Sequence, residues 1–68
     1  MKFAITGTLS KERKYFEALL KENGHELGGV SKSTDYLVTG DKPGKSKLNK
    51  AKDYEIETIT EDELMELI

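Results

Sequence analysis

The sequence predicts an α/β domain with a central four-stranded parallel sheet flanked by helices, in the order β-α-β-β-α-β-α. Two short apolar runs, Phe3-Ala4-Ile5 and Tyr36-Leu37-Val38, and a strand-like segment from Ile56 to Ile59 are separated by segments with helical spacing. Strands that alternate with helices pack as a parallel sheet with helices on its faces. The first run shows no polar/apolar alternation, the mark of a strand covered on both sides.

The elements follow in order. Lys2 to Thr6 is the first strand and Gly7 breaks it. Ser10 is an N-cap for a helix from about Lys11 to Asn23, with Tyr15, Phe16, Leu19 and Leu20 as its apolar stripe. Asn23-Gly24 ends that helix, Gly24 being the left-handed residue. His25-Glu26-Leu27 is a minimal edge strand. Gly28-Gly29 and Ser31-Lys32-Ser33-Thr34 lead into a third strand, Asp35 to Thr39. Gly40-Asp41-Lys42-Pro43-Gly44 is a loop. Ser46 caps a short helix, Lys47 to Asp53, with Leu48 and Ala51 facing inward. Ile56 to Ile59 is the fourth strand. Thr60 and Glu63 form a capping box for the last helix, whose inward stripe is Leu64, Leu67 and Ile68.

Sixty-eight residues form one domain, 1–68, with a single small hydrophobic interior. The hydrophobic and charged shares are both 35%, which suits a thin-cored, well-solvated globule. The absence of cysteine excludes a disulfide, a thiolate nucleophile and a Cys-based metal site. No apolar run approaches the roughly 20 residues that span a bilayer, so a cytoplasmic setting without membrane contact is expected. The net charge of −2 is unevenly spread: residues 1–52 hold eleven bases against six acids, a surplus of +5, whereas 53–68 hold seven acids and no base. Bulk charge therefore does not attract nucleic acid, but a local basic face can.

Four fragments in order resemble the BRCT domain: Thr6-Gly7 after the first strand, Gly24 closing the first helix, the VSKST run at 30–34 before Tyr36-Leu37-Val38, and Pro43 to Ala51 (PGKSKLNKA) followed by the terminal ITEDELMEL. The likeness covers nearly the whole chain. It is greatest to the C-terminal BRCT module of bacterial NAD-dependent DNA ligases and to that of the replication factor C large subunit. Asn23-Gly24 stands where many members have Gly-Gly, and Leu64 where many have tryptophan. The loop after Gly7 is about one residue shorter than in the clamp-loader module, which bears on the placement of Arg13.

The resemblance implies an anion site. In phosphate-binding members, a hydroxyl at the end of the first strand, the N–H of the next glycine and a lysine at the start of the second helix converge on the phosphate. Thr6, Gly7 and Lys47 match those positions. Arg13 matches a further basic contact, while another hydroxyl position falls near Gly28, which has no donor side chain. Several short N–H and O–H donors with a cation are what a phosphate needs, and strand carboxyl ends beside helix starts gather such donors. Lys50, with Lys42, Lys45 and Lys52, extends the basic stretch. Plainer readings stand beside these: Thr6-Gly7 as a strand-to-helix turn, the lysines as a solvated helix face, and Arg13 as a helix-surface residue. His25 has no partner at useful spacing and reads as structural; Tyr54 is the aromatic expected at the surface near the basic helix.

The expected function is a non-catalytic module of a DNA repair or replication protein that assists DNA binding through phosphate contacts, at 5′-phosphate ends or nicks. The alternative is a protein-interaction module, reading a phosphopeptide or docking an unmodified partner, with the acidic 53–68 segment as a face for a basic partner. An enzymatic role for the domain itself is not expected: there is no Cys, no partnered His and no phosphate-loop pattern. If the parent is an NAD-dependent DNA ligase, its nucleotidyl-transfer machinery lies elsewhere. No cofactor or metal is called for, and the domain is expected to be a monomer.

Overall fold

Phe3, Ala4, Leu37 and Val38 are fully or almost fully buried, and they belong to two separate cores on opposite faces of one sheet. The computed structural model, which describes residues Met1–Ile68, builds that sheet from β1 (Lys2–Thr6), β2 (Glu26–Leu27), β3 (Tyr36–Thr39) and β4 (Glu57–Thr60). The spatial order is β2-β1-β3-β4 and every pairing is parallel. Three helices complete the chain: α1 (Arg13–Glu22), α2 (Lys45–Asp53) and α3 (Glu61–Leu67).

Alternation along each strand divides the interior. Phe3, Val38 and Ile59 pack with Phe16 and Leu20 of α1 and Leu64 of α3. Ala4 and Leu37 pack with Ala51 of α2 and with Ile56, and Leu48 covers their edge. Two helices therefore lie on one face and one on the other. The Phe3-Ala4-Ile5 run is apolar throughout because β1 is an inner strand with a core on each side.

Both Schellman ends are built alike. After α1, the His25 N–H reaches the Leu20 carbonyl at 2.8 Å and the Gly24 N–H reaches Lys21 at 3.2 Å, with Gly24 at φ +79°. After α2, Ile56 reaches Ala51 at 2.7 Å and Glu55 reaches Lys52 at 3.2 Å, with Glu55 itself in the left-handed region at φ +56°. The capping box of α3 is present: Glu63 N–H donates to Thr60 Oγ1, and Thr60 N–H to Glu63 Oε1, both at 3.2 Å. The His25 ring packs edge-on to Phe3, with centroids 5.4 Å apart.

Several boundaries differ from the sequence expectation, and at the two helix starts a residue distant in sequence engages the local backbone. Helix α1 begins at Arg13 rather than Lys11, and Ser10 does not cap it; the Ser10 hydroxyl and N–H are both committed to the Glu61 carboxylate at the start of α3. Helix α2 begins at Lys45 with Gly44 as N-cap, so Ser46 lies inside it. The Gly44 N–H donates to the buried Thr6 hydroxyl at 2.8 Å, which anchors the start of α2 to the end of β1. Strands β2, β3 and β4 start one residue later than expected, and β4 runs to Thr60. Tyr15 and Leu67 were expected in the apolar stripes of their helices, yet they are 48% and 42% exposed. The three-turn α1 has room on the sheet for Phe16, Leu19 and Leu20, and Tyr15, one residue round from Phe16, turns outward.

Candidate functional site

The strand order places a topological switch between β1 and β3. The connection through α1 leaves β1 towards β2 on one side, and the connection through α2 leaves β3 towards β4 on the other. In open parallel sheets this divergence opens a crevice beyond the strand carboxyl ends. Here the two loops at that crevice are tied together by an antiparallel bridge: Thr8 N–H donates to the Asp41 carbonyl at 2.9 Å, and Asp41 N–H to Thr8 at 2.8 Å. The Gly40 N–H also reaches the Thr6 carbonyl at 2.8 Å.

Gly7 has to be glycine. Its φ is +85°, and a Cβ would stand 2.7 Å from the Asp41 carbonyl oxygen. A Cβ at Gly40 would collide with the Thr8 carbonyl for the same reason, close backbone approach.

A cavity of about 350 Å³ opens at this point, floored by Ile5, Leu9 and Phe16 and walled by Thr6, Gly7, Thr8, Lys11, Glu12, Arg13 and Lys47. Four of the five residues singled out from the sequence, Thr6, Gly7, Arg13 and Lys47, thus share one cavity. The fifth, Lys50, lies outside it, one turn further along the exposed face of α2. Thr8 and Lys11 line the cavity without having been singled out. The signal for Lys11 lay in the loop: once α1 starts at Arg13, Lys11 belongs to the segment leading from Gly7 into the helix.

The donors are available. Thr6 Oγ1 is buried and accepts from Gly44, which leaves its proton free to point elsewhere. The Gly7 N–H is engaged by no acceptor in the chain. Helix α1 has no side-chain cap and no acid within its first turn, so the Arg13 and Lys14 N–H groups are open. The Lys47 ammonium donates to the Ile5 carbonyl at 3.3 Å, an acceptor left free because β2 stops at Leu27. That contact holds the lysine at the cavity wall. Lys11, Arg13 and Lys47 oppose one acid, Glu12, so the lining carries a positive surplus within an acidic protein.

The loop leading into α1 is also held from outside. Glu61 receives the Ser10 N–H at 2.7 Å and the Ser10 hydroxyl on its other oxygen. These two hydrogen bonds hold the carboxyl below its ordinary range, and nearby Lys11 adds a smaller pull in the same direction.

The model of the BRCA1 C Terminus (BRCT) domain matches residues 1–68. The chain belongs to the BRCT family. This BRCT domain is 43% identical to a DNA ligase of Mesoplasma florum, 48% to one of Campylobacter jejuni and 47% to one of Chlamydia caviae, in each case over 97% of its own length. It spans about a tenth of the length of those relatives. The likeness to the clamp-loader module rests on the sequence motifs alone.

Proposed function

We propose that this BRCT domain is a non-catalytic module of a DNA ligase-like repair or replication protein, and that it assists DNA binding by gripping a phosphate in the cavity beyond the carboxyl end of β1, beside the start of α1 and Lys47 of α2. The supporting observation is the convergence of the Thr6 hydroxyl, the Gly7 N–H, Arg13 and Lys47 at the strand carboxyl ends. Hydroxyl and amide donors fix a tetrahedral oxyanion, and the two cations balance its charge. A terminal 5′-phosphate suits this arrangement better than a diester, because it offers three free oxygens and more negative charge. Lys50, exposed one turn from Lys47, would meet a neighbouring backbone phosphate. The proposal includes a monomeric domain in the bacterial cytoplasm, the compartment that holds the chromosome.

Phosphate contacts are salt-sensitive and carry little base information. Lys47→Ala is expected to weaken binding to a 5′-phosphorylated duplex about tenfold, the size of one charge-assisted hydrogen bond. It should also flatten the dependence of log Kd on log salt by about one unit. Fluorescence anisotropy over a salt series measures both. An unchanged affinity and slope would rule out the phosphate role for this cavity.

One observation favours a second reading, docking of a basic protein segment. A groove on the β4–α3 side is lined by Glu57, Glu63 and Glu66 together with Ile59, Tyr36 and Leu67. Loss of a partner on neutralising Glu63 and Glu66, with DNA binding intact, would support that reading over the first.

A further inference from the structure

The sequence and the structure disagree about where α1 begins, and the disagreement has one visible cause. Ser10 is a good N-cap, and capping would start the helix at Lys11. Instead the helix starts two residues later, Glu12 takes the N-cap position without a side-chain hydrogen bond, and both polar groups of Ser10 are held by Glu61. Glu61 lies 51 residues away at the first position of α3 and does not itself line the cavity.

We propose that Glu61 is a positioning residue for the anion cavity. By holding Ser10 it keeps Lys11 and Glu12 out of helix α1. That leaves the side chains of Lys11 and Arg13, and the uncapped start of the helix, on the cavity wall. Released from Glu61, Ser10 can cap the helix, which then gains about half a turn; Lys11 then stands roughly 200° round the helix axis from Arg13, the Lys14 N–H finds the Ser10 carbonyl, and the Arg13 N–H finds the Ser10 hydroxyl. The cavity loses donors although none of its lining residues has changed.

This inference rests on the phosphate reading of the cavity, and it makes a prediction of unusual sign. Glu61 is negative and near an anion site, so removing it on electrostatic grounds alone would tighten anion binding. The positioning role demands the reverse. Glu61→Ala should weaken binding to a 5′-phosphorylated duplex about fivefold, the scale of a lost helix-terminus interaction, and the ¹³Cα shifts of Lys11 and Glu12 should move towards helical values. Glu61→Gln makes the same change in charge but keeps an oxygen acceptor for the Ser10 N–H, and should recover most of the affinity. Ser10→Ala keeps the backbone N–H bond to Glu61 and removes the competing cap, so it should leave Lys11 and Glu12 outside the helix and the affinity close to that of the unaltered protein. A helical shift of these residues with a loss of binding of about fivefold would overturn the capping competition, so the test survives if Glu61→Ala does not fold.

Lys47→Ala, measured in parallel, separates the two levels. If Lys47→Ala leaves phosphate-dependent binding intact, the cavity itself is not the site. If Lys47→Ala weakens binding while Glu61→Ala binds as tightly as the unaltered protein or more so, or Gln fails to recover what Ala loses, the positioning role is overturned and the cavity stands.

Discussion

The Thr6 hydroxyl joins the cavity at the end of β1 to the loop that leads into α2. It accepts from Gly44, holding the start of α2 against the end of β1, while its proton remains free at the cavity wall. The close packing extends to Gly44, where a Cβ would lie 3.3 Å from Thr6 Oγ1. Glu61 shows the same economy across the molecule, and its titration is a direct probe of its link to Ser10. The hydrogen bonds from Ser10 favour the ionised carboxylate, so the folded protein binds its proton less readily than the unfolded chain does. The stabilisation is therefore complete above the ordinary carboxylate pKa and is lost as pH falls through the depressed folded value. The Ser10 amide resonance should report a lowered Glu61 midpoint, and Ser10→Ala, which removes the hydroxyl but keeps the backbone N–H donor, should raise that midpoint part of the way towards the ordinary value. A Glu61 midpoint at or above the ordinary value in the unaltered protein would contradict the hydrogen-bonding pattern.

At the scale of elements, helix ends were legible where a local device sets them. The Thr60/Glu63 capping box and the left-handed Gly24 could be read directly, because both depend on residues within one turn. The starts of α1 and α2 were not legible. At each start a partner far away in sequence holds the local backbone, Glu61 at the first and Thr6 at the second. The same distinction applies to the cavity. Thr6, Gly7, Arg13 and Lys47 could be named from motif positions, whereas Lys11 and Thr8 enter it only because the loop is pinned at Ser10 and bridged to Asp41. The end of α2 carries a testable weakness. Glu55 occupies a left-handed position that glycine adopts without strain. Glu55→Gly is expected to stabilise the fold by about 1 kcal/mol, read as a higher denaturant midpoint at constant m-value. A lower midpoint would show that the Glu55 side chain contributes more than its backbone strain removes.

Across the whole molecule, charge is segregated. The segment that builds the cavity carries the basic surplus, and the last sixteen residues carry seven acids and no base. With the net charge at −2, long-range attraction to DNA is weak, so the account places recognition in a short-range grip on one phosphate rather than in a broad basic surface. Two small cores on either side of a four-stranded sheet carry the elements that line the cavity, one through Phe16 and Leu64 and the other through Ala51 and Leu37. The most direct test is an amide-shift titration by NMR at low salt, with two duplexes identical except for a 5′-phosphate. Phosphate-dependent shifts centred on Thr6, Gly7, Lys11, Arg13 and Lys47 are the expected result. Shifts indifferent to the phosphate and spread along residues 42–52, or no shifts at all, would contradict it.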